Sequence, residues 1–134
     1  AKINIAPLET LKHFFVDIGF AGVTFSNPNE HDRIIAYTSQ LAHITSSAYV
    51  KSPEAQERRG FSAGSFRDMT RVARLDEAMW TELFLDNADY LTEELDILID
   101  HLNEYLAALK NRDEAGLLRL LREGRDLKSS AGGN

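Results

Sequence analysis

Residues 80–109 read WTELFLDNADYLTEELDILIDHLNEYLAAL, and this stretch decides the fold that we expect. Its apolar side chains recur every three or four residues, close to the 3.6-residue period of an α-helix, and no glycine or proline interrupts them. The positions on this stripe are Trp80, Phe84, Asn87, Leu91, Leu95, Leu98, Leu102, Tyr105 and Leu109. A helix this long in so small a chain usually packs against a second subunit or a long antiparallel neighbour. We therefore predict a mainly α protein, a helical bundle whose long helix packs against one of these two partners.

Capping residues divide the rest of the chain into further helices. Asp76 is placed to cap the long helix, and Asp113 to cap a last helix rich in leucine. Upstream, Asn27 as N-cap and Pro28 at the first helical position predict a helix that runs to about Val50. We expect a loop over residues 54–65, a short helix from Phe66 to about Ala73, and a disordered tail over residues 129–134.

The first 26 residues have a different pattern. Apolar residues at helical spacing predict a helix over residues 7–18 with Gly19 as its C-terminal cap, and residues 20–25 read as a short strand. A lone strand has nothing to pair with, so we interpret this opening as the helix-strand remnant of an α/β unit whose other strands are missing. The alternative is a helix and an extended segment that pack on the bundle. The predicted domains are residues 1–26, 27–128 and the tail 129–134.

Composition excludes several classes of partner. The 134 residues carry a formal net charge of -6, which argues against nucleic acid or an anionic membrane as the main partner. The chain has no cysteine, and its four histidines lack the spacing of zinc ligands. No apolar run approaches the length of a membrane span. We expect a soluble, cytoplasmic protein without a metal site.

Three arginines precede the long helix. Arg67, Arg71 and Arg74 are spaced i, i+4, i+7, so they share one face if the segment is helical. Guanidinium groups bind carboxylates through a bidentate fork, and the neighbouring Met79 and Trp80 could wall an apolar ring. The alternative is a solvated surface on which nearby acidic residues neutralise the arginines.

A second polar group lies in the helix that begins near Pro28. Ser39 and His43 are four residues apart and therefore lie on one face, beside Gln40. Together they offer hydrogen-bonding groups to a polar ligand, although a histidine in the middle of a helix is more often structural. Residues 1–134 contain no nucleophile-base set and no dinucleotide-binding glycine motif. The sequence thus offers binding groups without an evident catalyst.

Two blocks together, EHDRIIAYTSQLAH at 30–43 and GSFRDMTRVARLDEAMW at 64–80, resemble the C-terminal helical domain of prephenate dehydrogenases. Enzymes of that family join an N-terminal NAD(P)-binding Rossmann domain to a helical domain that forms the dimer. They oxidise prephenate, or its amino analogue arogenate, with loss of carbon dioxide in tyrosine biosynthesis. The resemblance implies that residues 1–26 are the tail of the nucleotide-binding domain, whose glycine motif and catalytic histidine lie upstream.

The resemblance also implies roles for single residues. By motif, Arg71 matches the arginine that holds a substrate carboxylate, and Ser39 and His43 match polar positions of the family's SHLPH-type segment. The remaining predicted substrate-binding residues are Gln40, Gly64, Met79 and Trp80. This chain reads SQLAH, with Gln40 and Ala42 in place of a common histidine and proline, which puts the substrate preference in doubt.

Several expectations follow for the chain as it stands. We expect this part to form a two-fold homodimer through the long helix. NAD or NADP would bind the full-length enzyme and not this part, which we expect to be inactive alone. Prephenate and arogenate remain open as substrates, because an arginine for the ring carboxylate does not distinguish them. A free-standing helical oligomerisation or ligand-sensing module is the alternative from another class. The absence of an initial methionine mildly favours truncation.

Overall fold

The computed structural model describes residues 5–57, 60–61 and 64–131 of the chain. Within these ranges the regular structure is helical, as predicted. The chain divides into two compact units, residues 1–31 and 32–134. None of the described helices combines the length and the apolar character needed to cross a bilayer.

The first unit contains helix α1, Ala6–Asp17, and the turn that ends it. Gly19 has a φ of 103°, and its N–H donates to the carbonyl of Val16. The N–H of Phe20 donates to the carbonyl of Phe15, and their rings meet edge to face with centroids 5.6 Å apart. These two bonds and the apolar contact constitute a Schellman motif. The helix and its glycine cap, both predicted, are confirmed.

The strand predicted over residues 20–25 is not formed. Residues 22–27 have no regular secondary structure. A strand exists only through hydrogen bonds to a neighbouring strand, and the part of the chain that the structure describes contains none. The strand assignment was wrong for this chain, and the origin of the first 26 residues in a nucleotide-binding domain stays a prediction.

A long helical rod follows along the chain and includes the start of the second unit at Asp32. It consists of α2, Pro28–Ile35, a π-helical turn, Ala36–Gln40, and α3, Leu41–Tyr49. The side chain of Asn27 accepts from the N–H of Glu30 at 2.9 Å, so the predicted N-cap is confirmed. The rod ends at Val50, also as predicted. The π-turn in its middle was not predicted.

Two short helices follow the rod. The predicted loop over residues 54–65 in fact contains α4, Glu54–Glu57; its residues 58–59 and 62–63 lie outside the described residues. Helix α5, Gly64–Thr70, ends three residues earlier than expected. Residues 71–72 form a turn, and Asp76, which caps the next helix, is extended with φ −79° and ψ 110°. The three arginines therefore do not share one helical face.

The predicted thirty-residue helix is two helices. Helix α6 is Glu77–Asp86 and α7 is Ala88–Lys110, and Asn87 between them has φ −119° and ψ 26°. Asp76 caps α6 by accepting from the N–H of Met79 at 2.9 Å, as predicted. The prediction of one uninterrupted helix was wrong because the Asn87 side chain bonds to distant residues, which the apolar period cannot reveal.

Helix α8, Glu114–Ala131, closes the chain. Asp113 accepts from the N–H of Gly116 at 2.9 Å, which confirms it as the cap. The helix continues through residues 129–131, so these three are helical rather than disordered; residues 132–134 lie outside the described part.

The core lies where α7 crosses the rod. Ala36, Leu41 and Leu91 are buried together, with Phe84 and Leu98 among the apolar residues packed against them. Ala36 is fully buried, and its small side chain allows α7 to approach the π-turn closely. Helix α7 also contacts α3, α6 and α8. The rod and α6 are thus fixed to the same helix, and these two elements carry most of the predicted site.

Candidate functional site

The imidazole of His43 on α3 stacks on the indole of Trp80 on α6. Their ring centroids are 3.9 Å apart, and the planes are inclined by 28°. Phe84, one turn further along α6, also lies against the indole, with ring centroids 5.3 Å apart. The structure therefore brings together two predicted site residues that are far apart in sequence.

Hydrogen bonding leaves one nitrogen of His43 for a ligand. Its Nδ1 lies 2.8 Å from the carbonyl oxygen of Ser39. A carbonyl oxygen only accepts, so Nδ1 carries the proton and donates it. Nε2 has no partner among the described residues. It would accept from a ligand when the ring is neutral and donate to one when the ring is charged.

A cleft of about 550 Å³ lies beside this stack. Ser39, His43 and Arg71, all predicted, line it. The other lining residues are Tyr37, Thr38, Leu41, Ala42, Thr45, Asp68, Met69, Val72 and Leu98. The lining is mostly apolar, and its ionisable groups include one guanidinium, one imidazole and the carboxylate of Asp68. An aromatic or cyclic carboxylate suits such a cleft.

Arg71 follows the end of α5 and is exposed. Its guanidinium makes no hydrogen bond or ion pair with a described residue, and the same holds for Arg67 and Arg74. The salt-bridged surface that the sequence allowed is therefore not what the structure contains. Asp68 lines the same cleft without pairing with Arg71, which leaves all five guanidinium N–H donors of Arg71 open.

Gln40 has a different environment from the one expected. Its side chain is 5% exposed and does not line the cleft. Nε2 donates to the carbonyl of Leu83 at 2.9 Å, and Oε1 accepts from Nδ2 of Asn87 at 2.8 Å. The geometry therefore assigns Gln40 to the packing between the rod and α6 instead of to direct ligand contact.

Gly64 and Met79 lie outside the cleft. Gly64 is exposed at the start of α5, with open space where a β-carbon would lie. Met79 is 49% exposed and precedes the stacked Trp80. Neither is among the residues that line the cleft, and their contact with substrate stays a prediction.

Asp68 and Asn87 are two of the residues near the site that were not among the predicted set. Asp68 lies in the cleft, and Asn87 bonds to Gln40 behind it. Asn87 was counted as a member of the apolar stripe. A polar residue at such a position was the available signal, since a buried amide requires partners.

Comparison with known proteins identifies the domain. The profile of the family described as "Prephenate dehydrogenase, dimerization domain" matches residues 27–123. The chain belongs to the prephenate dehydrogenase family. The resemblance seen in the sequence is thereby confirmed, and the matched part is the C-terminal dimerisation domain.

Curated relatives agree with this assignment. Prephenate dehydrogenase of Lactococcus lactis is 30% identical over 75% of this chain and 30% of its own length. Prephenate dehydrogenase of Bacillus subtilis is 28% identical over 95% of this chain and 35% of its own length. Cyclohexadienyl dehydrogenase of Zymomonas mobilis is 31% identical over 75% of this chain and 36% of its own length. The chain thus spans about a third of each relative.

Solved structures share the fold. Aquifex aeolicus prephenate dehydrogenase, crystallised with hydroxyphenyl propionate and NAD+, has a TM-score of 0.74 and 26% identity, covering 98% of this chain and 47% of that one. Synechocystis arogenate dehydrogenase also has a TM-score of 0.74, with 20% identity, covering 96% of this chain and 49% of that one. The latter likeness concerns the fold alone.

Proposed function

We propose that this chain is the substrate-binding and dimerisation part of a prephenate dehydrogenase that converts prephenate to 4-hydroxyphenylpyruvate with NAD or NADP. The observation that carries the proposal is the cleft itself, which is lined by both the unpaired Arg71 and His43. The imidazole of His43 is stacked on the indole of Trp80. The Bacillus and Lactococcus relatives are both prephenate dehydrogenases and support the choice of substrate.

In this proposal each group in the cleft has one task. Arg71 binds a carboxylate of the substrate through its planar fork. Nε2 of His43 hydrogen-bonds to a polar group on the ring, and Trp80 holds the imidazole in place. Ser39 supplies a hydroxyl at the same wall and, through its carbonyl, fixes the tautomer of His43. These groups orient the substrate, a contribution that lowers a barrier by several kcal/mol in favourable cases, on the order of 7.

The described residues do not fit a dinucleotide site. Such a site needs a parallel sheet with a glycine-rich turn at the N-terminus of a helix, and the described part of the chain has neither. We therefore propose that the nucleotide and the base for the ring hydroxyl belong to residues outside this chain, and derive no hydride step here. The chain alone is expected to be inactive.

Ligand titration of the 134-residue chain tests the proposal. Trp80 is the only tryptophan, so its fluorescence reports events next to His43. Hydroxyphenyl propionate, the ligand of the Aquifex relative, should bind with a measurable Kd by fluorescence and calorimetry. Arg71→Ala should raise that Kd about 10- to 100-fold, the loss of one charge-assisted contact.

Arg67→Ala is the matched control, because Arg67 is an exposed, unpaired arginine of α5 that does not line the cleft. Equal Kd values for the wild type and Arg71→Ala would contradict the assignment of Arg71. An equal loss of affinity in Arg71→Ala and Arg67→Ala would contradict it as well. Assaying the complete gene product with prephenate and arogenate, each with NAD and NADP, then decides the substrate and the cofactor.

Arogenate remains the competing substrate. Its amine and the keto group of prephenate lie on the side chain, whereas Arg71 is proposed to hold the ring carboxylate. The cytoplasmic location likewise stays a prediction.

We further propose that the homodimer forms through an exposed apolar stripe on α7. Ile99, Leu102, Leu106 and Leu109 are 45%, 56%, 47% and 61% exposed. Their spacing of three, four and three residues is the one by which helices pair in coiled coils. The family profile, which is that of a dimerization domain, supports a second copy as the partner.

A further inference from the structure

Side-chain hydrogen bonds of two amides connect the residues at the break between α6 and α7 to the π-turn. Nδ2 of Asn87 donates both to Oε1 of Gln40 and to the carbonyl of Asp32, each at 2.8 Å. Gln40 in turn donates from Nε2 to the carbonyl of Leu83 at 2.9 Å. We call Gln40 and Asn87 the amide clamp. It joins Asp32, before the π-turn, and Gln40, its last residue, to residues before and at the helix break.

Both irregular elements are linked to this clamp. In a continuous helix the carbonyl of Leu83 would accept from the N–H of Asn87. That N–H points to the carbonyl of Leu85 instead, so Leu83 is available to Gln40. The π-turn adds one residue to a turn of the rod, which rotates everything after it by about 100° relative to an unbroken α-helix. The direction of His43 from α3 therefore depends on the π-turn.

The clamp and the aromatic stack are neighbours along two antiparallel elements. Gln40 meets Leu83, and three residues later on the rod His43 meets Trp80, three residues earlier on α6. One helical turn, about 5 Å, separates the two contacts on each side. A shift of the rod against α6 that broke the first contact would therefore also displace the second.

We propose that Gln40 and Asn87 are positioning residues, which hold the π-turn in the one register that places His43 on Trp80 and Ser39 and His43 on the cleft wall. The part of this inference that concerns ligand affinity rests on the proposed function; the part that concerns the stack does not. Neither residue touches the cleft, so both act through His43.

Two nearly isosteric substitutions test the clamp. Gln40→Met removes both hydrogen bonds of the Gln40 side-chain amide. Asn87→Asp replaces the NH2 group that donates to two oxygen atoms with a carboxylate that faces the same two acceptors. Thr81→Val is the matched control, since it removes an exposed hydrogen bond on α6, from Thr81 Oγ1 to the carbonyl of Glu77, without touching the clamp.

The first readout needs no ligand. With each variant shown by circular dichroism to be folded, the emission of Trp80 in Gln40→Met and Asn87→Asp should move toward that of His43→Ala. Thr81→Val should keep the wild-type emission. In the second readout, the Kd for hydroxyphenyl propionate should rise about 10-fold in both clamp variants and not in the control, because misplaced binding groups lose affinity.

Wild-type emission in folded Gln40→Met and Asn87→Asp would overturn the clamp. If either variant does not fold, hydrogen exchange in the wild type tests the clamp instead. The side-chain NH2 groups of Gln40 and Asn87 should exchange their hydrogens with solvent more slowly than that of Asn103, which is exposed on α7. Equal exchange rates would overturn the clamp as well. If the wild type fails to bind the ligand while the clamp variants change Trp80 emission, the clamp stands and the proposed function fails.

Discussion

His43 and Trp80 stack with their ring centroids 3.9 Å apart, although they belong to different helices and different sequence motifs. The contact joins the segment that supplies Ser39 to the segment that follows Arg71. It explains how two short blocks of sequence, residues 30–43 and 64–80, contribute to one cleft although α4 lies between them in the chain.

Removal of this stack should affect both stability and binding. His43→Ala should lower the free energy of unfolding by about 1 kcal/mol, the usual worth of an aromatic pair. It should also weaken the binding of hydroxyphenyl propionate. Urea unfolding followed by circular dichroism measures the first effect and calorimetry the second. His13→Ala, an exposed histidine of α1, is the control and should change neither. A stable His43→Ala variant with unchanged affinity would contradict the site.

The proposed dimer makes a separate prediction. Leu102→Glu combined with Leu106→Glu places two charges in the apolar stripe of α7, where burial against a second copy would strongly disfavour them. Analytical ultracentrifugation at tens of micromolar should then show monomers where the wild type shows dimers.

Leu85→Glu supplies the comparison for this experiment. Leu85 is 70% exposed on α6 and does not belong to the stripe. Its substitution should leave the wild-type dimer intact. A wild-type chain that sediments as a monomer would argue against the interface, as would a double variant that still dimerises.

Arg112 offers a stabilising substitution. It follows the C-cap of α7 with a φ of 53°, while its N–H donates to Leu109 and that of Asp113 to Ala108, the same Schellman pattern that Gly19 forms after α1. A side chain in left-handed geometry costs about 1 kcal/mol, which glycine avoids. Arg112→Gly should therefore raise the Tm by a few degrees in calorimetry, and Gly19→Ala should lower it. A decrease in Tm for Arg112→Gly would contradict this prediction. It would show that the arginine side chain stabilises the fold by more than its left-handed backbone geometry destabilises it.

Ser46 is a buried polar residue whose hydroxyl has no hydrogen-bond partner in the described part of the chain. Its side chain is 2% exposed on α3, and its hydroxyl makes no hydrogen bond with the described residues. An unsatisfied buried hydroxyl costs about 1 kcal/mol or more. Ser46→Ala should thus unfold at the same or a higher urea concentration, without loss of ligand affinity. If Ser46→Ala instead lowered the free energy of unfolding by more than about 1 kcal/mol, the hydroxyl of Ser46 would have a hydrogen-bond partner in solution.

Local features of the fold could be predicted from the sequence. The caps Asn27, Asp76 and Asp113 each accept a hydrogen bond from an N–H three residues away. At the end of α1, the N–H of Gly19 donates to the carbonyl of Val16, also three residues away. Interactions of that range depend only on neighbouring residues, so residue type and spacing suffice to predict them.

The candidate site was predicted in part for the same reason. Motif resemblance selected Ser39, His43 and Arg71, and these three line the cleft. It also selected Gln40, whose partners Leu83 and Asn87 lie in another helix. No local pattern distinguishes an amide that faces a ligand from one that bonds to a distant backbone carbonyl.

The sequence by itself determined a mainly helical chain, its capped helix ends and its family, because periodicity, capping and motif spacing are properties of adjacent residues. Only the tertiary structure decided that the long helix breaks at Asn87, that the rod contains a π-turn, and that α5 ends before Arg71. The break and the π-turn are linked through the Asn87–Gln40 contact, which joins residues 47 positions apart. Hydrogen bonds of that range stabilise irregular geometry that neither helix would adopt alone, since each buried amide must find a partner wherever the packing places one.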